Sequence, residues 1–161
     1  MGDMPTVDAT DARILLALAA DARLSGVELA QRLGLSRNTV QARLARLEAG
    51  GILGSVDRRV SHRALGYPLT AFVSAQVEQS HLAEIEEALA GIDEVVELHG
   101  VTGASDLVIR VVAHDTDDLY RIAGVILATP GVRRTEIALS MREMVPFRTA
   151  PLLRRRAGTG R

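Results

Sequence analysis

An α+β architecture made of two small units is what this sequence predicts, and three observations predict it. Apolar residues at helical spacing fill the first third, β-branched strand runs begin only after residue 68, and the charge balance changes sign between the two regions. With 161 residues the chain has room for two domains and not for three, since domains rarely fall much below about 50 residues. Residues 1–65 carry nine Arg against seven acids, residues 66–150 six against thirteen, and the last eleven four Arg and no acid. A polyanionic partner therefore belongs at the N-terminal part, because the acidic middle repels phosphate. Every basic residue is Arg; this reads mainly as composition bias, although the planar guanidinium also suits phosphate and guanine.

The helical elements follow in order. Asp8 or Thr10 caps a first helix whose apolar positions are Ile14, Leu15, Leu18 and Ala19, ending near Asp21. Ser25 with Glu28 three residues later forms a capping box opening a short helix to Leu33, and Gly34 breaks it. Ser36 caps a third helix that buries Val40, Leu44 and Leu47 and stops at Gly50-Gly51. Weak alternation from Ile52 to Val60 suits a short strand or wing, and residues 61–68 read as a linker.

Beyond the linker, Leu69–Val77, Val95–Val101, Leu107–Ala113 and Val132–Val145 are strand candidates. A helix capped by Ser80, with Leu82, Ile85, Leu89 and Ile92 on its apolar side, separates the first two. Another behind Asp115/Thr116, with Leu119, Ile122, Ile126 and Leu127, separates the last two. The order βαββαβ is that of the ferredoxin-like split βαβ fold, an antiparallel sheet with two helices on one face. The domains are thus a helix-turn-helix over 7–60, a linker over 61–68, a ferredoxin-like domain over 69–148, and a basic tail over 149–161 too polar to bury and read as disordered. Arg154-Arg155-Arg156 in that tail reads either as simply solvated or as a source of nonspecific phosphate attraction.

Composition narrows the chemistry. Cysteine is absent, which removes disulfides and thiolate catalysis, and a zinc site would have to draw on four histidines and carboxylates. No cofactor and no metal are expected. The N-terminal MGDMPTVDATD is acidic where a signal peptide is basic, and the longest apolar run, Ile14–Ala20, is far short of a membrane span. A cytoplasmic protein without a membrane partner is the expectation.

The stretch Val27–Arg46 carries the sharpest signal. Ala30 is small where two helices approach, Gly34 sits at the turn, and Leu29, Leu33, Leu35 and Val40 supply a shared core. The third helix then presents Ser36, Arg37, Asn38, Thr39, Gln41, Arg43 and Arg46, whose donors and acceptors suit base edges and phosphates of double-stranded DNA. An ordinary helical hairpin with a solvated polar face is the alternative. Arg58 and Arg59 in the wing are expected to act on phosphates, through salt dependence.

From Val7 to Ile52 the pattern D-x-x-D before ILLAL, then DARLS, ELA-x-x-LGLS and V-x-x-RL-x-x-LE-x-x-G-I resembles the leucine-responsive/asparagine-regulator (Lrp/AsnC, feast/famine) family of transcription factors. Arg43 stands where many other helix-turn-helix proteins place an aliphatic residue, and V-x-x-R-L is this family's own form. The similarity extends through Ala64-Leu65-Gly66, the βαββαβ body and V-T-G-x-x-D at Val101–Asp106, to about residue 150. The resemblance implies a sequence-specific transcriptional regulator that pairs with itself through the sheet domains as dimers, often octamers. It also implies a small-molecule effector, an amino acid or related compound, at the 101–106 loop.

Read from its residues, that loop leaves two possibilities. A glycine-containing turn with Val101, Thr102, Gly103 and Ala104 exposes peptide N–H groups to a carboxylate while Asp106 accepts from an ammonium, matching the ends of a free amino acid. Equally, it is a plain hairpin turn in which Asp106 bonds its own backbone. Leu98, Val101 and Leu139 are candidates for an apolar side-chain pocket. RNA recognition is disfavoured because the candidate central strands contain none of the chain's four aromatics. Enzymatic conversion of a small molecule is the weaker alternative: His99, Asp106 and His114 lack any accompanying nucleophile or phosphate loop. A constitutive DNA-organising protein with a purely structural second domain is the other.

Overall fold

The computed structural model describes residues 6–53 and 60–158, and the chain divides into two compact units, 1–58 with 145–161, and 59–144. In the first unit α1 spans Ala9–Ala20, α2 Gly26–Leu33 and α3 Arg37–Ala49. Asp8 caps α1 in a reciprocal box with Asp11, so Thr10 lies inside the helix; Ser25 and Glu28 form the box of α2. Ala17, Leu29, Ala30 and Val40 make the core, with Leu18, Leu24, Leu33, Leu35 and Leu44 packed around it. Each fully buried Leu or Val here contributes about 1.5–3 kcal/mol relative to exposure. The wing predicted around Arg58 and Arg59 lies outside the described residues.

The expected disordered tail is instead a fourth helix of this unit, α6 at Ala150–Arg156, which packs along α1. Pro151 sits in its first turn, where a missing N–H costs nothing, and the three Arg sit in its last turn, where cations favour the helix dipole. Arg156 Nε donates to the Val7 carbonyl at 2.6 Å, and Ala157 lines a cleft with Leu16, Ala17 and Ala20 of α1. Composition alone hid this, because Pro151, Leu153 and Ala157 need a partner surface rather than a long apolar run.

The second unit contains β1 (Leu69–Val77), α4 (Leu82–Ala90), β2 (Val95–Gly100), β3 (Leu107–Ala113), α5 (Thr116–Ala128) and β4 (Val132–Leu139). The sheet is antiparallel with order β2-β3-β1-β4. Ala71, Val73 and Ala75 of β1 and Leu107, Ile109, Val111 and Ala113 of β3 pack against Ile85 and Leu89 of α4 and Leu119, Ile122 and Ile126 of α5. Period-2 alternation puts Phe72 and its cross-strand partner Arg110 on the helix-free face, where Arg110 pairs with Glu97 at 3.2 Å.

Three boundaries differ from expectation. Predicted to reach Val145, β4 ends at Leu139 because β1 begins at Leu69; after Ser140 N–H bonds the Thr70 carbonyl at 2.9 Å, β1 is almost exhausted. Ser80 does not cap α4; it lies in a 3-10 turn, Gln79–His81, its hydroxyl 3.1 Å from His81 Nδ1. Residues 61–68 form a folded turn built into the sheet unit. Tyr67 N–H bonds the His62 carbonyl at 3.0 Å, His114 Nδ1 meets the Gly66 carbonyl at 2.6 Å, and the Tyr67 and His114 rings stack at 4.0 Å.

Candidate DNA-binding surface and effector loop

The turn between α2 and α3 is made by Gly34, whose φ of 66° is left-handed and whose N–H reaches back to the Ala30 and Gln31 carbonyls. Leu35 N–H adds a 2.9 Å bond to Ala30, which closes the turn and aims α3 away from α2. Ser36 Oγ accepts from Thr39 N–H at 3.1 Å and shares a 2.8 Å hydrogen bond with the Thr39 hydroxyl. These two predicted contact residues therefore cap α3. Arg37, Asn38 and Gln41 are exposed, and the first turn of α3 contains no acid, so the positive helix terminus and Arg37 reinforce each other.

Arg43 and Arg46 are partly exposed but tied to α1. Arg43 Nη1 bonds Asp8 Oδ2 and also Asp11 Oδ1, the latter at 2.9 Å, while Arg46 Nη2 bonds Asp11 Oδ2. Expected to face the groove, both guanidiniums here fasten α3 to the start of α1. The Asp11 side chain has no exposure at all, and a buried carboxylate needs such partners. Burial pushes the Asp11 carboxyl up, but the Arg46 and Arg43 hydrogen bonds and the Asp8 peptide N–H outweigh it and hold it below the usual range. For Asp8 the Arg43 hydrogen bond, then the Asp11 peptide N–H, lowers the carboxyl to about 2. This clamp was missed from the sequence, yet a signal existed: Asp8 and Asp11 are three apart, as are Arg43 and Arg46, so each pair lies on one helical side.

The candidate effector loop joins β2 to β3. It is closed by Val101 N–H to the Asp106 carbonyl at 2.8 Å, and Asp106 N–H ties it to the Ala75 carbonyl of β1 at 2.9 Å. Gly103, with φ of 122°, makes the reversal at its tip. Val101, Thr102, Gly103 and Ala104 are exposed. Gln76 Nε2 donates to the Ala104 carbonyl at 2.8 Å.

Asp106 holds the loop in place. Its Oδ2 accepts from Val77 N–H at 2.9 Å and its Oδ1 from Gln79 Nε2 at 3.0 Å, so the carboxylate fastens the loop to the end of β1. Each oxygen retains a second lone pair. Gln76 and Gln79 were not singled out in the sequence, because nothing local shows that β1 ends beside this loop. Of the suggested pocket residues, Leu98 packs against the helix-side core, whereas Val101 and Leu139 are exposed.

Comparison with known proteins bears on both surfaces. The profile described as "Winged helix-turn-helix DNA-binding" matches residues 7–53, and that described as "Lrp/AsnC ligand binding domain" matches residues 70–150. The proline dehydrogenase transcriptional activator of Rhodobacter capsulatus is 33% identical over 143 residues, covering 86% of this chain and 93% of that protein. E. coli AsnC superposes with a TM-score of 0.81 at 26% identity, covering 91% of this chain and 100% of that one. The feast or famine regulatory protein of M. tuberculosis complexed with L-methionine superposes with a TM-score of 0.80 at 30% identity, over 89% of this chain and 98% of that one. The family that both descriptions point to consists of transcriptional regulators, not enzymes. Among the described residues no helix is long and apolar enough to cross a membrane. The chain belongs to the Lrp/AsnC family of DNA-binding transcriptional regulators with a ligand-binding domain.

Proposed function

We propose that this regulator reads duplex DNA with the start of α3 and that a free amino acid, held at the Val101–Ala104 turn, biases its assembly or DNA affinity. Arg37, Asn38 and Gln41 make the groove contacts; Ser36 and Thr39 shape the helix start, and Arg43 and Arg46 hold α3 in place. The observation that carries the effector reading is the exposed turn. No hydrogen bond from the Thr102, Gly103 or Ala104 N–H groups is present among the described residues, and those donors suit a carboxylate. Asp106 and Gln79 beside it suit an ammonium. The relative bound to L-methionine supports the ligand class.

Coupling requires the ligand to prefer one assembly over another, because equal affinity for both shifts nothing. Dimers paired through the sheet units, assembled further into octamers, supply such states; the exposed Phe72 and the edge strands β2 and β4 favour pairing. A DNA-binding role places the protein in the cytoplasm. One observation favours a second reading, a constitutive DNA-binding protein whose sheet unit only assembles it: both Asp106 oxygens are already bonded to residues at the end of β1. Thermal-shift screening of the twenty amino acids decides between them. A hit lost in Gly103→Val and weakened in Asp106→Asn supports the effector site, and no hit at millimolar concentration supports the second reading.

A further inference from the structure

Helix α6 belongs to the DNA-binding unit, and its charge is out of proportion to its length. Residues 1–58 contain seven Arg and seven Asp or Glu, whereas the returning segment 145–161 contains five Arg and no acid. The three-helix part is therefore neutral, and two of its seven Arg are consumed by Asp8 and Asp11. All of the net positive charge of this unit, five elementary charges, arrives with the C-terminal segment.

We propose that α6 is a second DNA-contacting element, a docked cationic helix that supplies phosphate attraction which the helix-turn-helix lacks. The inference rests on duplex DNA binding by this unit and adds to it arginines, Arg154 and Arg155, outside both matched ranges, 7–53 and 70–150. Four observations converge. The helix is docked on α1, so its charge is carried by the same body as α3. Arg156 anchors it to the Val7 carbonyl at the start of α1. Arg154 and Arg155 lie on its exposed side, while Pro151 and Leu153 are half-buried. Finally, the sheet unit is acidic and offers a polyanion nothing.

A long-range electrostatic role needs no base contact. A cation within a Debye length, about 8–10 Å at physiological salt, already competes with condensed counterions. Each phosphate neutralised contributes about 0.9 to the slope of log K against log salt. Because phosphates carry no sequence information, the contribution is equal on all duplexes.

The test compares the full chain with R154Q/R155Q, which keeps Arg156 and the apolar side of α6, and with R154K/R155K. Binding to a random-sequence duplex is measured by fluorescence anisotropy from 50 to 300 mM salt, as orders of magnitude suited to such slopes. The expected result is a slope lower by about 1–2 in the Gln pair, with equal weakening on any duplex, and a slope restored by the Lys pair. A Gln pair with wild-type slope and affinity overturns the proposal and leaves α6 a structural clasp. If the Gln pair also melts at lower temperature, the Lys pair decides: wild-type slope supports the proposal, a slope matching the Gln pair overturns it. A wild-type chain that does not bind the duplex even at about 50 mM salt would overturn the DNA reading itself, an outcome separate from loss of the α6 contribution.

Discussion

Replacing Asp11 with Ala removes the centre of the clamp between α1 and α3. Asp11 accepts from Asp8 N–H at 3.0 Å, from Arg43 at 2.9 Å and from Arg46, all at a side chain with no solvent exposure. Breaking a fully buried ion pair costs about 3–5 kcal/mol, and hydrogen bonds to charged groups about 1.5–3 kcal/mol each. Here the freed guanidiniums are already 29% and 48% exposed and can turn to water, which puts the loss at the lower end. About 2–3 kcal/mol is expected, concentrated in the DNA-binding unit. For a unit of about 75 residues that lowers the melting temperature by about 10–15 °C. The assay is far-UV circular dichroism on heating, with Arg46→Ala and the double variant completing a cycle so that the coupling is read directly. A melting temperature within about 2 °C of wild type, or a cycle with no coupling, would refute the clamp.

Two further outcomes follow from the same geometry. Asp8 titrates at about 2 when folded against 3.8 as its ordinary value, so its contribution is present above pH 3.8 and is lost as pH falls toward 2. Asp8→Asn is expected to flatten that part of the stability profile, measured by urea unfolding between pH 5 and 2 in order-of-magnitude steps of one unit; an unchanged slope contradicts the Arg43–Asp8 bond. Arg37→Ala is expected to weaken operator binding by about 1–3 kcal/mol without changing the melting temperature, as read by anisotropy, whereas Arg46→Ala acts through stability.

Most of the architecture was legible in the sequence because its signals are local. Asp8, Ser25 and Asp115 cap the helices that their spacing announced, and β1 and β3 have the predicted bounds. What escaped depends on partners far along the chain. Arg43 and Arg46 look like groove residues until the buried Asp11 is seen facing them, and Asp106 looks open until β1 ends beside it. The strand β4 was overextended because Leu139 already pairs with Ala71, near the start of β1, and residues 141–145 have no strand left to pair with. The tail was misjudged because seven residues rich in Arg form a helix only against α1.

The return of the chain to its starting unit also sets an order of events. The Arg156–Val7 bond closes a separation of 149 residues, and long closures carry both an entropic cost and slow formation. The first three helices are made long before the returning segment and can assemble without it. The fourth helix can dock only after the whole sheet unit has been made. A chain cut short before residue 145 therefore carries an electrically neutral reading head, and the net positive charge of this unit comes with the returning segment.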